Sequence, residues 1–437
     1  MRRESRNFEI VMEQGTELIQ FYRENPCIAA YDLLRVDLAP IQRLIFEDMW
    51  FKNYVIAVAG RGFGKTYLLG LLAALSCLLY PGYRVGLIAP VFRQSLVIKS
   101  DTYDTFWTNR GLKTTTESFY DSIQPGLTQV QSLHSQNTIL SKWENDERAC
   151  RYIKTTKGFE LSGTTDHAIK ILDNNFNIEF KDLQDIRYDD YIVIKTGFNY
   201  FGDSDSMPEF DEFEGNWRTK DCVIPKELTP DLSYWMGLII GDGCISISKN
   251  KRKNRVDFVN EDQDLLNSFE GYLREYFLLD KDENIDRRNR KNDTWEIQYF
   301  CKKLVHYLLK CGFTKTTALD KKIPDVIKKA SKEIFIAFLQ GLFDTDGCVY
   351  IQNHKHGYSH CEVAFNTSSI QLAKEVHAVL LNLGIISNLC ISNKAEVRQL
   401  KCGNKPSKCA EAYKIRITGQ KFLTKFNNII GFRCKRK

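Results

Sequence analysis

"WMGLIIGDGC", Trp235–Cys244, decides the fold, because it returns 104 residues later as "LQGLFDTDGC", Leu339–Cys348. Each copy is an apolar helix candidate that ends in Asp-Gly. Gly237 and Gly241 stand four apart and share a helical face, and Gly341 and Thr345 repeat the arrangement. Small residues on such a face let two helix backbones approach closely. Asp242 and Asp346 then fall at the helix ends, and Gly243 and Gly347 suit a left-handed terminating turn. Crossing the two helices would set two carboxylates side by side at C-terminal ends, where helix dipoles favour cations. That is a Mg²⁺ site of the kind that cuts phosphodiesters. The offset holds one αββαββα unit, so a pseudo-twofold α+β fold is expected over residues 221–437. Either segment alone reads equally well as a packing face with a common Asp-Gly ending.

The paired segments resemble the LAGLIDADG, or DOD-type, motifs of homing endonucleases. The second carries Asp-Thr-Asp-Gly, whereas the first has Ile240 where that family's first aspartate usually stands. The resemblance implies Asp242 and Asp346 as metal-binding and catalytic carboxylates of a monomeric enzyme that cuts double-stranded DNA. Between them lies "KKIP", Lys321–Pro324, which matches a block of intein endonucleases whose lysine lies near the active site. Lys321 is the matching residue, and Lys322 is the alternative if the register slips by one. Basic stretches "SKNKRKNRVDF" (Ser248–Phe258), "DRRNRKNDTWEIQYF" (Asp286–Phe300) and "EVRQLKCGNKPSKC" (Glu396–Cys409) fall where DNA-facing hairpins are expected. Phosphate contacts from them would be salt-dependent and carry little sequence information. A charge run by itself is an ordinary solvated face.

Upstream, two blocks suggest a different chemistry. Ser100 opens "SDTYDTFWTNRGLK", and further on "GFELSGTTDHAIKIL" carries Gly158, Leu161, Thr164 and His167 at the spacing GxxLxxTxxH. Short apolar runs around them read as strands. Together the blocks resemble the N-terminal splicing motifs of an intein, which implies an all-β Hint domain over residues 100–220. The family usually begins with cysteine, so Ser100 is a departure, and Cys150 is a rival that lacks the usual following residues. The resemblance implies that the Ser100 hydroxyl attacks the Lys99 carbonyl and forms an ester. His167 would protonate the leaving amide nitrogen, with Thr164 and Asp166 orienting the bond. The plainer alternative is a loop serine and a histidine at a strand end.

The first 99 residues suggest a nucleotide site. "VIAVAGRGFGKTYLLG", Val55–Gly70, gives strand, glycine loop and apolar helix in order. Backbone N–H groups from Gly60, Arg61, Gly62 and Gly64 would wrap phosphates, Lys65 would neutralise them, and Thr66 would hold Mg²⁺. With Gln42 upstream, the stretch resembles the N-terminal ATPase of a phage terminase large subunit, in which that glutamine reads adenine. A partial α/β P-loop fragment that takes ATP and Mg²⁺ follows. No four-apolar run ending in Asp-Glu comes later, so ATP turnover by this chain alone is not expected.

Composition limits the remaining classes. A formal charge of +6 over 437 residues permits nucleic-acid binding without arguing for it, and 43% hydrophobic content is ordinary for a globular chain. The apolar run Leu68–Tyr80 is too short to span a bilayer, and the N-terminus lacks the apolar stretch of a signal peptide. Thirteen cysteines without a CxxC pair read as buried thiols. A cytoplasmic protein of a phage-infected or prophage-bearing bacterium is expected. No His-Asn splicing block follows the second repeat, so a C-terminal intein and terminase segment is expected on another chain or beyond residue 437. The expected function is an intein-encoded homing endonuclease interrupting a terminase. The alternative is a packaging-ATPase fragment with an inactive intein.

Overall fold

The computed structural model describes residues 15–52, 65–80, 105–114, 124–131, 136–139, 149–210, 220–247, 254–290, 293–314, 317–353, 359–399 and 406–436. The chain divides into two compact units, residues 1–92 and 93–437. The expected segments 100–220 and 221–437 therefore share one unit.

The first unit shows helices α1 (residues 15–24), α2 (Pro26–Leu34), α3 (Pro40–Phe51) and α4 (Lys65–Leu79). Leu68, Leu71, Leu75 and Leu79 of α4 pack with Ala29, Ala30, Leu38 and Phe46. The expected strand at Val55–Ala59, the glycine loop Gly60–Gly64 and the side chains of Lys65 and Thr66 lie outside the described residues. So do Lys99 and Ser100. Among the described residues no helix is long and apolar enough to cross a membrane.

The second unit begins with short antiparallel strands. β1 (Thr105–Thr108), β2 (Gly111–Thr114), β3 (Gln129–Gln131) and β4 (Gln136–Thr138) form a sheet of order β2-β1-β3-β4. β5 (Cys150–Lys154) pairs with β6 (Glu160–Thr164). β7 (Ala168–Leu172) lies between β8 (Ile178–Asp182) and β9 (Tyr191–Ile192). Ile171, Leu183 and Ile186 form a small core beneath them.

The rest is built twice. α5 (Pro230–Asp242), β10 (Gly243–Ser246), β11 (Arg255–Asn260), α6 (Gln263–Phe277), β12 (Asp286–Asn289), β13 (Trp295–Tyr299) and α7 (Lys302–Lys310) make the first half. A short helix α8 (Asp325–Lys328) leads to the second half. There α9 (Lys332–Asp346), β14 (Gly347–Asn353), β15 (Ser359–Thr367), α10 (Ile370–Asn382), β16 (Asn388–Asn393), β19 (Ala412–Thr418) and α11 (Gln420–Ile429) repeat the order. A small hairpin of β17 (Glu396–Gln399) and β18 (Pro406–Cys409) intervenes. The two sheets have matching orders, β10-β11-β13-β12 and β14-β15-β19-β16. This is the αββαββα pair expected from the sequence echo.

Alternation explains how each sheet is seated. Ile245, Val256, Phe258, Ile297 and Tyr299 point inward and are buried, as are Val363, Phe365, Ile415 and Ile417 in the second sheet. Helix α6 covers the first inner face with Leu266, Phe269 and Leu273. Its start is capped by the Asp262 carboxylate, which accepts from the Asp264 N–H at 2.9 Å.

The β5–β6 turn docks on the second half. Phe159 stacks on His377 of α10 at 4.2 Å, and Lys374 reaches Glu160 at 2.6 Å. Gly158, at φ +86, presses on Leu389, where a β-carbon would overlap the Leu389 carbonyl. His377 is buried, its Nδ1 is 2.7 Å from the Ser387 hydroxyl, and its Nε2 has no hydrogen-bond partner among the described residues. Burial pushes its pKa down to about 4, with Glu160 opposing and Lys154 assisting. The folded pKa is depressed, so the unfolded chain binds this proton more readily. Stability from this group is complete above about pH 6.5 and falls as pH drops toward 4. Between pH 7 and 5 the loss is expected to be about 2 kcal/mol. Urea midpoints across that range check it, and His377→Gln is expected to flatten the dependence.

Candidate active site

The centre of the second unit is the crossing of α5 and α9. Gly237 lies against the backbone of Phe338, Gly341 and Leu342, and a β-carbon there would stand 3.1 Å from the Gly341 Cα and overlap the Phe338 carbonyl. Gly341 mirrors this against Tyr234 and Leu238. One turn later Gly241 meets Thr345, whose hydroxyl donates to the Gly341 and Leu342 carbonyls at 3.0 and 2.9 Å. The small-residue face is thus the contact surface itself. It brings the helix ends together one residue before Asp242 and Asp346.

The expected left-handed turns are absent. Gly243 and Gly347 have φ of −90° and −83°, and each chain passes straight from helix into strand. Their glycines serve space. A β-carbon at Gly243 would stand 2.5 Å from the Ile239 Cα, and one at Gly347 would stand 3.0 Å from the Phe343 Cα. The strand departs along the helix's own last turn, which leaves no room for a side chain.

Two groups gather on the Asp242 end. The Asn260 amide donates to Asp242 Oδ2 at 2.7 Å, while its carbonyl oxygen accepts from the Asp262 N–H at 2.8 Å. The Lys321 ammonium donates to the Gly241 carbonyl, next to Asp242. Lys322 turns away to Asp325 at 3.0 Å, so Lys321 is the lysine at the helix end. In the second half Thr367 takes the capping role of Asn260, accepting from the Ser369 N–H at 3.1 Å. An open cleft of about 610 Å³ is lined by Asp242, Asn260, Asp262, Asp344, Thr345 and Cys434.

Asp344, absent from the first motif, has a separate task. It is buried and accepts from the Tyr234 hydroxyl at 2.8 Å and from the Arg433 and Cys434 N–H groups at 3.2 and 3.0 Å. It ties the segment after α11 across the helix pair. Ile240, its counterpart, is packed in the core, so the departure at that position costs no contact of this kind.

Hard carboxylates at two neighbouring helix C-termini would suit Mg²⁺, with substrate phosphate oxygens and water completing the shell. Among the described residues no group of three or more His, Cys, Asp or Glu side chains forms a cage that could hold a metal by protein alone.

The outer sheet faces carry paired charges. Arg255 meets Asp257 at 2.7 Å, Arg288 meets Asp286 at 2.9 Å and Arg290 meets Glu296 at 2.9 Å. On the second sheet Lys414 reaches Glu362 at 2.8 Å, with Arg416 beside it. Burial pushes Glu362 up, but Lys414 and Arg416 outweigh it and hold the carboxyl at about 2. Arg287 departs from the expected DNA-facing cluster. It faces α6, bonding Gln263 at 2.5 Å and Asn267 at 3.1 Å, because alternation in β12 puts it opposite Arg288.

The other expected site residues lie elsewhere. Thr164, Asp166 and His167 form the tight turn between β6 and β7, where the His167 N–H donates to the Thr164 carbonyl at 2.9 Å. Burial lowers the His167 pKa and Asp166 partly opposes it. In the first unit the Gln42 side chain accepts from the Ala39 N–H at 3.1 Å and caps its own helix.

Residues 229–323 and 333–431 match the LAGLIDADG-like domain. Among curated proteins, the replication factor C small subunit of Methanocaldococcus jannaschii is 28% identical over 285 residues, which are 65% of this chain and 13% of that protein. The ribonucleoside-diphosphate reductase NrdEB subunit alpha of Bacillus subtilis is 23% identical over 59% of this chain and 22% of its own length. The replicative DNA helicase DnaB of Rhodothermus marinus is 25% identical over 48% and 21%. The chain thus spans less than a quarter of each of these relatives. Among solved structures, I-DmoI in complex with DNA and Mn aligns at 20% identity and TM-score 0.30, over 46% of this chain and 96% of that one. I-AabMI bound to uncleaved DNA aligns at 12% identity and TM-score 0.28, over 48% and 86%. The chain carries a LAGLIDADG-like domain of α+β fold, in which each matched segment holds one copy of the echoed motif.

Proposed function

We propose that the chain is a site-specific, Mg²⁺-dependent DNA endonuclease carried as an intein within a terminase-type ATPase. The observation that carries the nuclease is the glycine-mediated crossing of α5 and α9, which brings together the helix ends bearing Asp242 and Asp346. The relatives support the inserted state. Part of this chain matches a small share of a replication factor C subunit, a ribonucleoside-diphosphate reductase and a replicative DNA helicase, whose names have no activity in common. A segment shared by such proteins is a portable element. The DNA bound in the I-DmoI and I-AabMI structures suggests the same class of substrate here.

Asp242 and Asp346 would hold the metal, which supplies Lewis-acid charge at the scissile phosphate. Asn260 fixes the Asp242 carboxylate, and Lys321 adds positive charge where the phosphate becomes more negative. Outer-face Arg255 and Arg290, each held by a buried carboxylate, Asp257 and Glu296, would offer donors to base edges in the major groove. Upstream, Ser100 and His167 would perform the first splicing step, and Gln42, Lys65 and Thr66 belong to the ATP site of the interrupted host.

The test is a supercoiled plasmid carrying the uninterrupted terminase sequence across the Lys99 codon. Purified protein with Mg²⁺ is expected to linearise it, and EDTA is expected to stop the reaction. An intact plasmid under both conditions would remove the nuclease reading.

A further inference from the structure

The loop that bears Lys321 is fastened to helix α10, and the fastening ends on a buried ion pair. The Ser369 hydroxyl donates to the Lys321 carbonyl at 2.5 Å. Two residues on, the Ile323 N–H donates to Glu375 Oε2 at 2.8 Å. Ile323 is fully buried. The other carboxylate oxygen, Oε1, accepts from Gln371 at 2.9 Å and pairs with the Lys328 ammonium at 2.9 Å. Lys328 is 2% exposed and Glu375 is 0% exposed.

Such a pair contributes little to stability compared with apolar residues of the same size, because desolvating two charges offsets their attraction. Stability alone therefore does not account for it. Its geometry gives a second reason. One oxygen of Glu375 is neutralised by Lys328, while the other holds a backbone amide two residues from Lys321. An ionised acceptor makes that bond stronger than a neutral one would. Lys328 keeps the carboxylate charged in a dry site, and both residues lie outside the cleft that contains Asp242.

We propose that Glu375, supported by Lys328, is a positioning residue that holds Lys321 at the C-terminal end of α5. The inference rests on Lys321 serving the nuclease centre. Since Lys321 bonds at the Asp242 end of the helix pair, loosening it affects one strand's cut more than the other's. Slower cutting of one strand leaves nicked plasmid as an intermediate.

Two double variants separate positioning from folding. Lys328→Met with Glu375→Leu removes the charges and also the acceptor for Ile323. Lys328→Met with Glu375→Gln removes the charges and keeps an acceptor. The Gln variant is expected to melt close to the wild type, and the Leu variant lower by a few degrees because the Ile323 N–H loses its acceptor. The Leu variant is expected to cut at least about tenfold more slowly, to accumulate nicked plasmid and to exchange the 319–324 amides at least about tenfold faster. Its DNA affinity is expected to stay within about twofold. The Gln variant is expected to restore most of the rate. Wild-type exchange in the Leu variant would overturn the inference, as would a uniform slowing with no rise in nicked product. If the wild type itself fails to cut, the nuclease reading falls, and amide exchange alone then decides whether Glu375 holds the loop.

Discussion

Replacing either helix-end aspartate, by Asp242→Asn or Asp346→Asn, is expected to abolish cleavage while leaving DNA binding intact. Asparagine keeps the shape and one acceptor oxygen, so Asn260 can still bond at position 242. It loses the charge that draws a divalent cation into the helix-end field. A metal that gives several kcal/mol of transition-state stabilisation sets the scale, and cleavage is expected to fall by about a thousandfold or more. DNA affinity is expected to be equal or tighter, because a negative charge opposite phosphates is removed. Plasmid cleavage and gel mobility shift on the same preparations measure both. Loss of binding and cleavage together would indicate damage to the fold instead of the chemistry.

The second large effect is expected in stability. Gly237→Ala places a β-carbon into the backbone of α9, overlapping the Phe338 carbonyl and standing 2.9 Å from the Leu342 nitrogen. Backbone atoms of a buried helix cannot rotate away as a side-chain end can, so the helices must separate. Overpacking of this kind costs about 3 kcal/mol or more, and a melting-temperature loss near 10 °C is expected for a domain of this size. Gly271→Ala is the matched control. Gly271 is also helical, in α6, and nothing lies within 4 Å of the added carbon. There alanine is expected to stabilise by about 0.5–1 kcal/mol through helix propensity. The same chemical change thus has opposite signs at two positions, and thermal melts of the pair decide the matter.

The twofold fold was legible because its cause is local and repeated. A four-residue spacing of small side chains on an apolar helix is visible in sequence, and the crossing uses those residues directly. The helix-end aspartates followed from the same segments. The glycines after them were misjudged, because Asp-Gly at a helix end fits a left-handed turn and a tight helix-to-strand passage equally well. Only the path of the next strand separates the two, and at Gly243 that path lies along Ile239.

What sequence reasoning missed depends on chain folding back over long distances. Asn260 reaches Asp242 because β10 and β11 pair antiparallel, with Gly243 opposite Phe258. Its one local sign was its place two residues before Asp262, the cap of α6. Glu375 is in an ordinary amphipathic helix, and nothing nearby marks it as the partner of Lys328. Arg287 was grouped with a basic cluster although strand alternation already set it apart from Arg288. Asp344 stood in plain view in the second motif, yet its bonds to Arg433 and Cys434 join positions far apart in the chain.

The most direct measurement is anomalous X-ray scattering from Mn²⁺ in crystals of the protein with a duplex that it binds. A manganese peak is expected within about 2.0–2.3 Å of carboxylate oxygens from Asp242 and Asp346, beside a DNA phosphate. A manganese ion held elsewhere, with both helix-end carboxylates away from metal and phosphate, would contradict it.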